Sequence, residues 1–464
     1  MRKNNLRSYR GLPLAKQVPA AVLLVALGGC ATVNPGPDYE RARGEVQAAT
    51  GAEGLYRPDE HEQVAEQVDI LLREGLTVQE SVKVALLNNR DLQALLFEIG
   101  VSRADAVQAG LLSNPSLDAL VRFPVGGGST ASEAGLLMNF IEFWQIPARK
   151  RLAEDQLERT VLGIAHTATR VAARSKVAYF SAVAALAAHA VAEENHDTAR
   201  EFLELTLARQ EAGAATEVDV NAARSESLEQ EVRVRQARFD VFESKRQVAL
   251  VLGLDVDPSG LELVDALLIA PDATLELENL LALSAAHRLD LQAAAKGVEV
   301  AQHALALERR LFLRMAKAGV SVESQGGDTE FGPAVDLEIP VFDQNQAQIA
   351  KAEYRLAQAQ RRLESLHTQV AQQVRGAYER YALATDSAWL YRDRLLPLRQ
   401  SSLELARDSF TEGKTGFLSV LEAQVRLLSA RREYVERLEA VSRSFPELEA
   451  ACGRPLVELL TVDQ

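Results

Sequence analysis

The 464-residue sequence has little cysteine, few aromatic residues and no excess of positive charge. Two cysteines cannot build a disulfide framework, and three methionines offer no thioether relay for soft metal ions. With 5% aromatic residues and a formal net charge of −14, the chain lacks the basic surface of a nucleic-acid-binding protein, so we expect no nucleic acid partner. Its abundant alanine, leucine, glutamate, glutamine and arginine favour long helices.

Catalytic and metal-binding constellations are also missing from the sequence. The seven histidines are scattered, and His189 and His196 lie seven residues apart rather than at the spacing of three or four that places two ligands on one helix face. The glycine run 126–128 follows a candidate strand but opens no helix and precedes no Lys-Ser/Thr pair, so it indicates a loop rather than a phosphate site. We therefore expect no enzymatic activity, no cofactor and no metal site.

The first 29 residues have the pattern of a signal peptide. Five basic residues precede the apolar run 18–27, which is too short to span a bilayer. The run ends in Leu27-Gly28-Gly29-Cys30, which resembles a bacterial lipoprotein signal, so cleavage would leave Cys30 as a lipidated N-terminus. A chance cysteine behind an ordinary signal peptide is the alternative. Cys452 then has no partner and is expected to be a buried small hydrophobic residue.

Hydrophobic runs long enough for a transmembrane helix do not occur elsewhere in the sequence. Such a helix needs about eighteen or more predominantly apolar residues. If the protein crosses a membrane, strands must do so, because only helices and closed barrels satisfy every backbone group in lipid.

The sequence contains a long internal duplication. Three landmarks recur in the same order with offsets of 199, 193 and 200 residues: Asp91-Leu92-Gln93-Ala94 as Asp290-Leu291-Gln292-Ala293, Ile146-Pro147 as Ile339-Pro340, and Gly213 as Gly413. The period is too long for a solenoid, so we interpret it as a duplicated domain.

Each copy predicts a helix, two strands and a second helix. In the first copy a helix over residues 77–112 opens at Thr77, with Glu80 at capping-box spacing, and stops at Asn114-Pro115. Strands are predicted at 117–125 and 133–143, and in the second copy around Val320 and Val335, because apolar and polar residues alternate there. An apolar face beside an acidic one suits a wall between lipid and water.

Very long helices follow each strand pair. Apolar or alanine residues recur every seven positions from Leu157 to Ala199 and from Ile349 to Ala384, a pattern typical of coiled coils. Residues 148–210 would span roughly 95 Å as a helix. Both rods end at glycines, Gly213 and Gly413, and return as helices of about 35 residues. Segments 35–75 and 253–273 break the pattern and are expected to pack outside the rods.

Oligomerisation follows from the number of strands. Four strands cannot close a barrel, and bacterial outer-membrane barrels start at about eight. Closed rotational symmetry is the default for oligomers. A trimer would supply about twelve strands and twelve helices in cross-section, although closure alone also permits a dimer or a tetramer.

The chain resembles the TolC-like outer-membrane efflux family over residues 76–450. No single motif is specific, but the ordered set is: Cys30 followed by Pro35-Gly36-Pro37-Asp38-Tyr39, the run Asn114-Pro115-Ser116-Leu117 before the first strand, and the two helical turns at 211–220 and 412–423. The resemblance implies a mainly α fold with a small β part. Its duplicated helix–strand–strand–helix unit would build a long coiled-coil α-barrel and contribute four strands to a trimeric, twelve-stranded outer-membrane β-barrel.

The resemblance also implies partners and a functional end of the molecule. The expected assembly is a lipid-anchored homotrimer in the outer membrane that extends into the periplasm and docks a periplasmic adaptor bound to a proton-driven inner-membrane pump. The turns then map onto the docking tip and gate, with the site residues Gly213, Thr216, Asp219, Gly413, Thr415 and Ser419. Asp219 falls where such proteins often place an acidic ring; the alternative is that it caps the returning helix. Its counterpart Ser419 would limit any ring to three carboxylates.

The sequence also indicates a class of exported substrate and a set of domain boundaries. The segment 339–346 is most similar to the heavy-metal efflux branch, although Gln344 and Ala347 stand where that branch has Arg and Gly. The alternatives are a periplasmic coiled-coil scaffold or adaptor lipoprotein, and the conduit of a type I protein secretion system. The expected divisions are 1–29 signal peptide, 30–75 N-terminal extension, 76–260 first repeat, 261–274 inter-repeat segment, 275–445 second repeat and 446–464 C-terminal tail.

Overall fold

The computed structural model describes residues 31–73, 75–268 and 275–456, and within them the protein is mainly helical with one small sheet. The helices are α1 Gly36–Thr50, α2 His61–Arg73, α3 Val78–Asn88, α4 Arg90–Ala109, α5 Glu142–Glu211, α6 Glu217–Leu252, α7 Leu277–His287, α8 Leu289–Arg310, α9 Gln346–Leu390, α10 Leu396–Thr411 and α11 Phe417–Cys452. The strands are β1 Ser116–Arg122, β2 Ala131–Asn139, β3 Ala316–Gln325 and β4 Asp328–Leu337.

The two hairpins form one antiparallel sheet in the order β1-β2-β3-β4. The register sets Leu117 opposite Leu136, Leu136 opposite Val320, and Val320 opposite Pro333. Since residues two apart along a strand share a face, the predicted apolar positions of all four strands lie on one side of the sheet. Much of this face is exposed in the single chain, Leu117 by 74% and Phe331 by 73%. The predicted amphipathic strands are confirmed.

The boundaries of several predicted elements were wrong. The first helix is broken at Asn89, whose side chain accepts from the Leu92 amide and donates to the Val251 carbonyl, so a contact with α6 starts a new helix there. The second strand ends at Asn139, not at residue 143. The first rod starts at Glu142, before Pro147, rather than at residue 148. The first turn of helix α5 is held in place by two side chains: Glu142 accepts from the Ser113 amide, and Gln145 donates to the Leu313 carbonyl.

The long helices lie side by side in two different orders along the length of the rods. Toward the sheet, α5 packs between α4 and α8, and α8 packs on α9; toward the helical turns, α5 packs between α6 and α11, and α11 packs on α9 and α10. The heptad positions are buried or half-buried, as the coiled-coil pattern predicted. Within the described residues, α5 alone is long and apolar enough to cross a membrane by composition. A packed core helix passes the same test, and α5 contacts four other long helices.

The second rod differs from the first because it is interrupted. Residues Tyr391–Leu395 form a π-helical turn between α9 and α10, just before Pro397. Tyr391 donates to Glu433 of α11 at 2.6 Å, which fixes the turn against its neighbour. The heptad pattern alone gave no signal for this interruption.

The segment before the first repeat packs against the rod α5, and much of it is helical. Tyr39, Ala42 and Val46 of α1 are buried in a core cluster with Ala168 and Ala172 of α5. Asp38, 2% exposed, accepts two hydrogen bonds of 2.7 Å from the Arg103 guanidinium. This pair ties α1 to α4. Cys452 is confirmed as a buried residue, and burial raises the pKa of its thiol to about 12.

Replacing Asp38 by Ala should detach α1 from the rods. Removing one partner of a buried, hydrogen-bonded ion pair costs about 3 kcal/mol because the other charge is left without a partner. Limited proteolysis should then cleave within residues 36–50 of the variant and not of the parent protein. The control is Asp59→Ala, which removes an exposed partner of Arg57 and should cost less than about 1 kcal/mol. Equal proteolysis of both variants would contradict the role of Asp38.

Candidate functional site at the helical turns

Both predicted turns have the same backbone design. Gly213 and Gly413 take left-handed conformations with φ of 74° and 72°. In the first turn the Ala214 amide donates to Arg209 and the Gly213 amide donates to Gln210; in the second, Lys414 donates to Ser409 and Gly413 to Phe410. This pair of bonds is the Schellman motif that ends a helix, and it requires a residue that tolerates positive φ. The prediction that glycine ends each rod is confirmed.

The returning helices start differently in the two copies. At the start of α6 the Thr216 hydroxyl accepts from the Asp219 amide at 3.2 Å, and the Asp219 carboxylate accepts from the Thr216 amide at 2.8 Å. The Thr216 backbone amide and, at 2.7 Å, the Thr216 hydroxyl both donate to the Asp219 carboxylate, and these two bonds hold the pKa of Asp219 below its ordinary value of 3.8. The stability that the Asp219 carboxylate adds to this cap is therefore present at neutral pH and is lost as the pH falls through that lowered pKa. Gly416 is the N-cap residue of α11, and no side chain of the described residues caps this helix.

Replacing Thr216 by Ala should loosen the first turn alone. Loss of an N-cap threonine costs about 1 kcal/mol of local stability, so the amides of Asp219 and Val220, which donate to Thr216, should exchange roughly fivefold faster with solvent. The matched control is Thr415→Ala in the other turn, because Thr415 is exposed and does not cap α11. Hydrogen exchange followed by mass spectrometry measures both variants. Unchanged exchange in Thr216→Ala would show that the capping box contributes nothing.

An aromatic cluster joins the two turns. The rings of Phe202 and Phe417 stack with centroids 5.0 Å apart, and Phe410 meets Phe417 edge-on at 6.2 Å. The Arg209 guanidinium lies 4.2 Å from the Phe410 ring centroid. Sequence reasoning did not identify this cluster. The concentration of phenylalanines near the turns in a chain with 5% aromatic residues was the available signal.

Equivalent positions of the two copies expose apolar side chains at the turns. Val218 is 76% exposed and Leu418 is 70% exposed, one residue before Asp219 and Ser419 respectively. Val220 and Phe417 are buried in the same first turns. Each returning helix therefore buries one side of its first turn and exposes Val218 or Leu418 on the other. The structure thus places the six predicted site residues in two neighbouring turns. Among the described residues, no hydrogen bond joins Asp219 to Ser419.

Two stripes of exposed apolar side chains run along helices of the rods, one along α6 and one along α9 and α10. We define the α6 stripe as Leu228, Val232, Phe239, Phe242 and Leu250, and the α9–α10 stripe as Leu383, Leu390, Leu398 and Leu405. Spacings near four and seven residues keep each stripe on one helix face. Because α6 and α9–α10 are the two edges of the packed helices, the stripes lie on opposite sides of the chain. Exposed apolar surface of this extent indicates an interface.

No group of three or more histidine, cysteine, aspartate or glutamate residues is placed to hold a metal ion within residues 31–73, 75–268 and 275–456. Cys30, the predicted lipidated residue, lies outside the described residues.

Most of the chain is similar to known proteins. Residues 82–254 and 280–454 each match the family model described as outer membrane efflux protein. The chain is 26% identical over 315 residues to the cobalt-zinc-cadmium resistance protein CzcC of Cupriavidus metallidurans, covering 66% of this chain and 73% of that protein. It is 25% identical to the toluene efflux pump outer membrane protein TtgF of Pseudomonas putida, covering 90% and 93%. The crystal structure of CusC superposes with a TM-score of 0.68 at 18% identity, covering 81% of this chain and 91% of that one.

Proposed function

The chain belongs to the outer membrane efflux protein family, and from that premise we propose that its working form is a homotrimeric channel that serves a tripartite pump. The protein is an efflux channel subunit of the outer membrane. Family membership over both repeats supports this function against the coiled-coil scaffold. In the proposed assembly a periplasmic adaptor connects the channel to a proton-driven inner-membrane pump.

The observation that supports the trimer is the exposed apolar stripe on each edge of the packed helices, one on α6 and one on α9–α10. The α6 stripe of one copy and the α9–α10 stripe of the next would pack against each other, a heterologous contact that closes into a ring. The sheet has matching edges, because β1 and β4 each pair with one strand within the described chain. Open edges are not tolerated in lipid. Pairing β1 of one copy with β4 of the next would close about twelve strands into a barrel.

The membrane anchor proposed is a lipid on Cys30. Helix α1 starts six residues after Cys30 and is fixed to α4 through Asp38 and Arg103. This fixed position supports a lipid attached at one defined place on the outside of the assembly. Mass spectrometry of the mature N-terminus tests the acylation.

The turns are proposed as the docking tip and gate, through Gly213, Thr216, Asp219, Gly413, Thr415 and Ser419. Val218 and Leu418 would provide exposed apolar contacts for the adaptor, and the Asp219 carboxylates of three copies would lie around the axis. The capping box supports the alternative role of Asp219 in the single chain, and one carboxylate can serve both roles. We also propose the domain boundaries that the sequence indicates.

Metal ions or small toxic compounds are proposed as the exported substrates. CzcC is named for cobalt, zinc and cadmium resistance and TtgF for toluene efflux. The similarity of segment 339–346 to the heavy-metal branch supports metals. A gene deletion followed by a panel of metal-salt and solvent sensitivities tests this choice.

Reconstitution tests the channel itself. The full-length protein, purified in detergent, should have the mass of a trimer and should conduct ions at low conductance in planar bilayers. A monodisperse, water-soluble monomer after removal of the lipid anchor would overturn the proposal and favour the scaffold.

A further inference from the structure

A cavity of about 900 Å³ lies between α5, α6, α9 and the end of α11. Its wall on α5 includes His166, Arg170 and Arg174, which lie four residues apart and therefore on one helix face. Gln372 and Gln373 face them from α9. Polar donors thus converge on this space from two helices.

The charge of this cavity is positive. Arg288 is paired with Asp290 at 2.6 Å, and Arg380 with Glu447 at 3.6 Å. Arg170 and Arg174 make no hydrogen bond or ion pair within residues 31–73, 75–268 and 275–456, and both are exposed. Two guanidinium groups per chain therefore remain available to a ligand, and such groups bind carboxylate, sulfate and phosphate with paired hydrogen bonds.

His166 adds no charge to this site at neutral pH. Burial lowers the pKa of His166 below its ordinary value of 6.5, and the Asp290 carboxylate opposes this effect only in part. The imidazole is therefore a neutral hydrogen-bonding group.

The cavity faces the inside of the proposed ring. The opposite face of α5, with Ala168, Ala172 and Tyr179, is buried against α1 and α3. Helix α1 follows the proposed lipidated Cys30 closely in the chain and must lie on the outside to reach the membrane. The cavity is bordered by α6 on one side and by α9 on the other. A neighbouring copy that packs on the α6 stripe or on the α9–α10 stripe therefore contacts the edges of the chain and leaves the cavity uncovered.

We propose that Arg170 and Arg174 form an oxyanion-binding site on the tunnel wall, at which the channel takes up small organic anions during export. This inference rests on the proposed trimer, in which three copies would place about six guanidinium groups around one level of the tunnel. The site favours substrates that carry a carboxylate, sulfate or phosphate group and disfavours free divalent cations. The proposed site therefore favours organic compounds over metal ions as the exported substrates.

The test compares the parent channel with Arg170→Gln/Arg174→Gln in planar bilayers, using citrate as the probe. Citrate added on the tip side should reduce the potassium chloride conductance of the parent channel, and the variant should need about tenfold more citrate for the same block. In a salt gradient without citrate, the ratio of chloride to potassium permeability should fall about threefold in the variant. Low ionic strength is used because salt screens the charges.

The control variant is Arg73→Gln/Lys83→Gln, which removes two positive charges from α2 and α3 on the other side of α5. It should behave like the parent channel. The row Glu133, Glu323 and Glu330 on the polar face of the sheet also affects the absolute selectivity. For this reason the comparison between variants, and not the parent value, carries the test.

The outcomes separate the inference from the function on which it rests. Equal citrate sensitivity in the parent and the Arg170/Arg174 variant, both conducting as trimers, would overturn the anion site and leave the channel intact. A parent protein that forms no conducting trimer would overturn the proposed function itself. If the control variant lost as much citrate sensitivity as the Arg170/Arg174 variant, the loss would be a general effect of removing positive charge. That result would also overturn the site.

Discussion

Replacing Leu228 by Glu should leave the protein monomeric and abolish conductance. Leu228 is 56% exposed in the single chain and belongs to the α6 stripe. Burying a leucine in an interface contributes roughly 1.5–3 kcal/mol. A carboxylate in its place would be desolvated without a partner, which adds a further cost. The loss is repeated at each interface of the ring, so the effect on assembly is large.

The symmetry of the ring identifies the residue that Leu228 should contact. Rotation about the axis keeps equivalent residues of the copies at one height, and the contact between Phe202, Phe410 and Phe417 places the two turns of each copy side by side. Residues equally far from the two turns should therefore lie at similar heights. Leu228 follows Gly213 by fifteen residues, and Leu398 precedes Gly413 by fifteen. Leu398 is 62% exposed on the α9–α10 stripe. We therefore expect Leu228 of one copy to pack near Leu398 of the next.

A charge-swap experiment tests this contact. Leu228→Glu and Leu398→Lys should each disrupt the trimer, and the double variant should recover part of it because the two charges can pair. Analytical ultracentrifugation in detergent measures the oligomer, and Ile70→Asp, an exposed hydrophobic residue of α2, is the control. Trimers in both single variants would show that the stripes are not the interface.

Periodic patterns in the sequence were sufficient to predict most of the fold. Period two put Leu117, Leu136 and Val320 on one face, and the observed register places them side by side. Period seven predicted the rods, and Gly213 and Gly413 predicted their ends. These features depend on local backbone geometry and on burial of one face, both of which are written in short stretches of sequence.

The features that were missed depend on contacts between distant segments. Asn89 looks like any helical residue until its amide meets the end of α6, 162 positions away. The helix α1 lies in a proline- and acid-rich segment, and its position depends on Arg103, 65 residues further on. At the candidate site, capping of the returning helix by Asp219 was one of the two alternatives that the sequence offered, whereas the stacking of Phe202 on Phe417 joins two repeats and was not predicted.

Replacing Gly319 by Ala should prevent the sheet from forming. A Cβ atom at this position would lie 1.8 Å from the Leu136 carbonyl oxygen of the neighbouring strand, far inside any possible contact. The obstacle is backbone, so no side-chain rotation can relieve it, and β2 and β3 would have to separate. Their pairing joins the two hairpins, so separation divides the four strands into two pairs and leaves new open edges in lipid.

The expected result is therefore loss of the folded trimer and of conductance, a far larger effect than an alanine in a strand normally has, which is within about 1 kcal/mol. Gly332 on β4 provides the control, since a Cβ atom there would meet no atom of the described residues within 4 Å. Heat-modifiable migration on gels and bilayer conductance should be normal for Gly332→Ala and lost for Gly319→Ala. A folded, conducting Gly319→Ala trimer would mean that β2 and β3 are not paired in this register, and the apolar face deduced from that register would have to be redrawn.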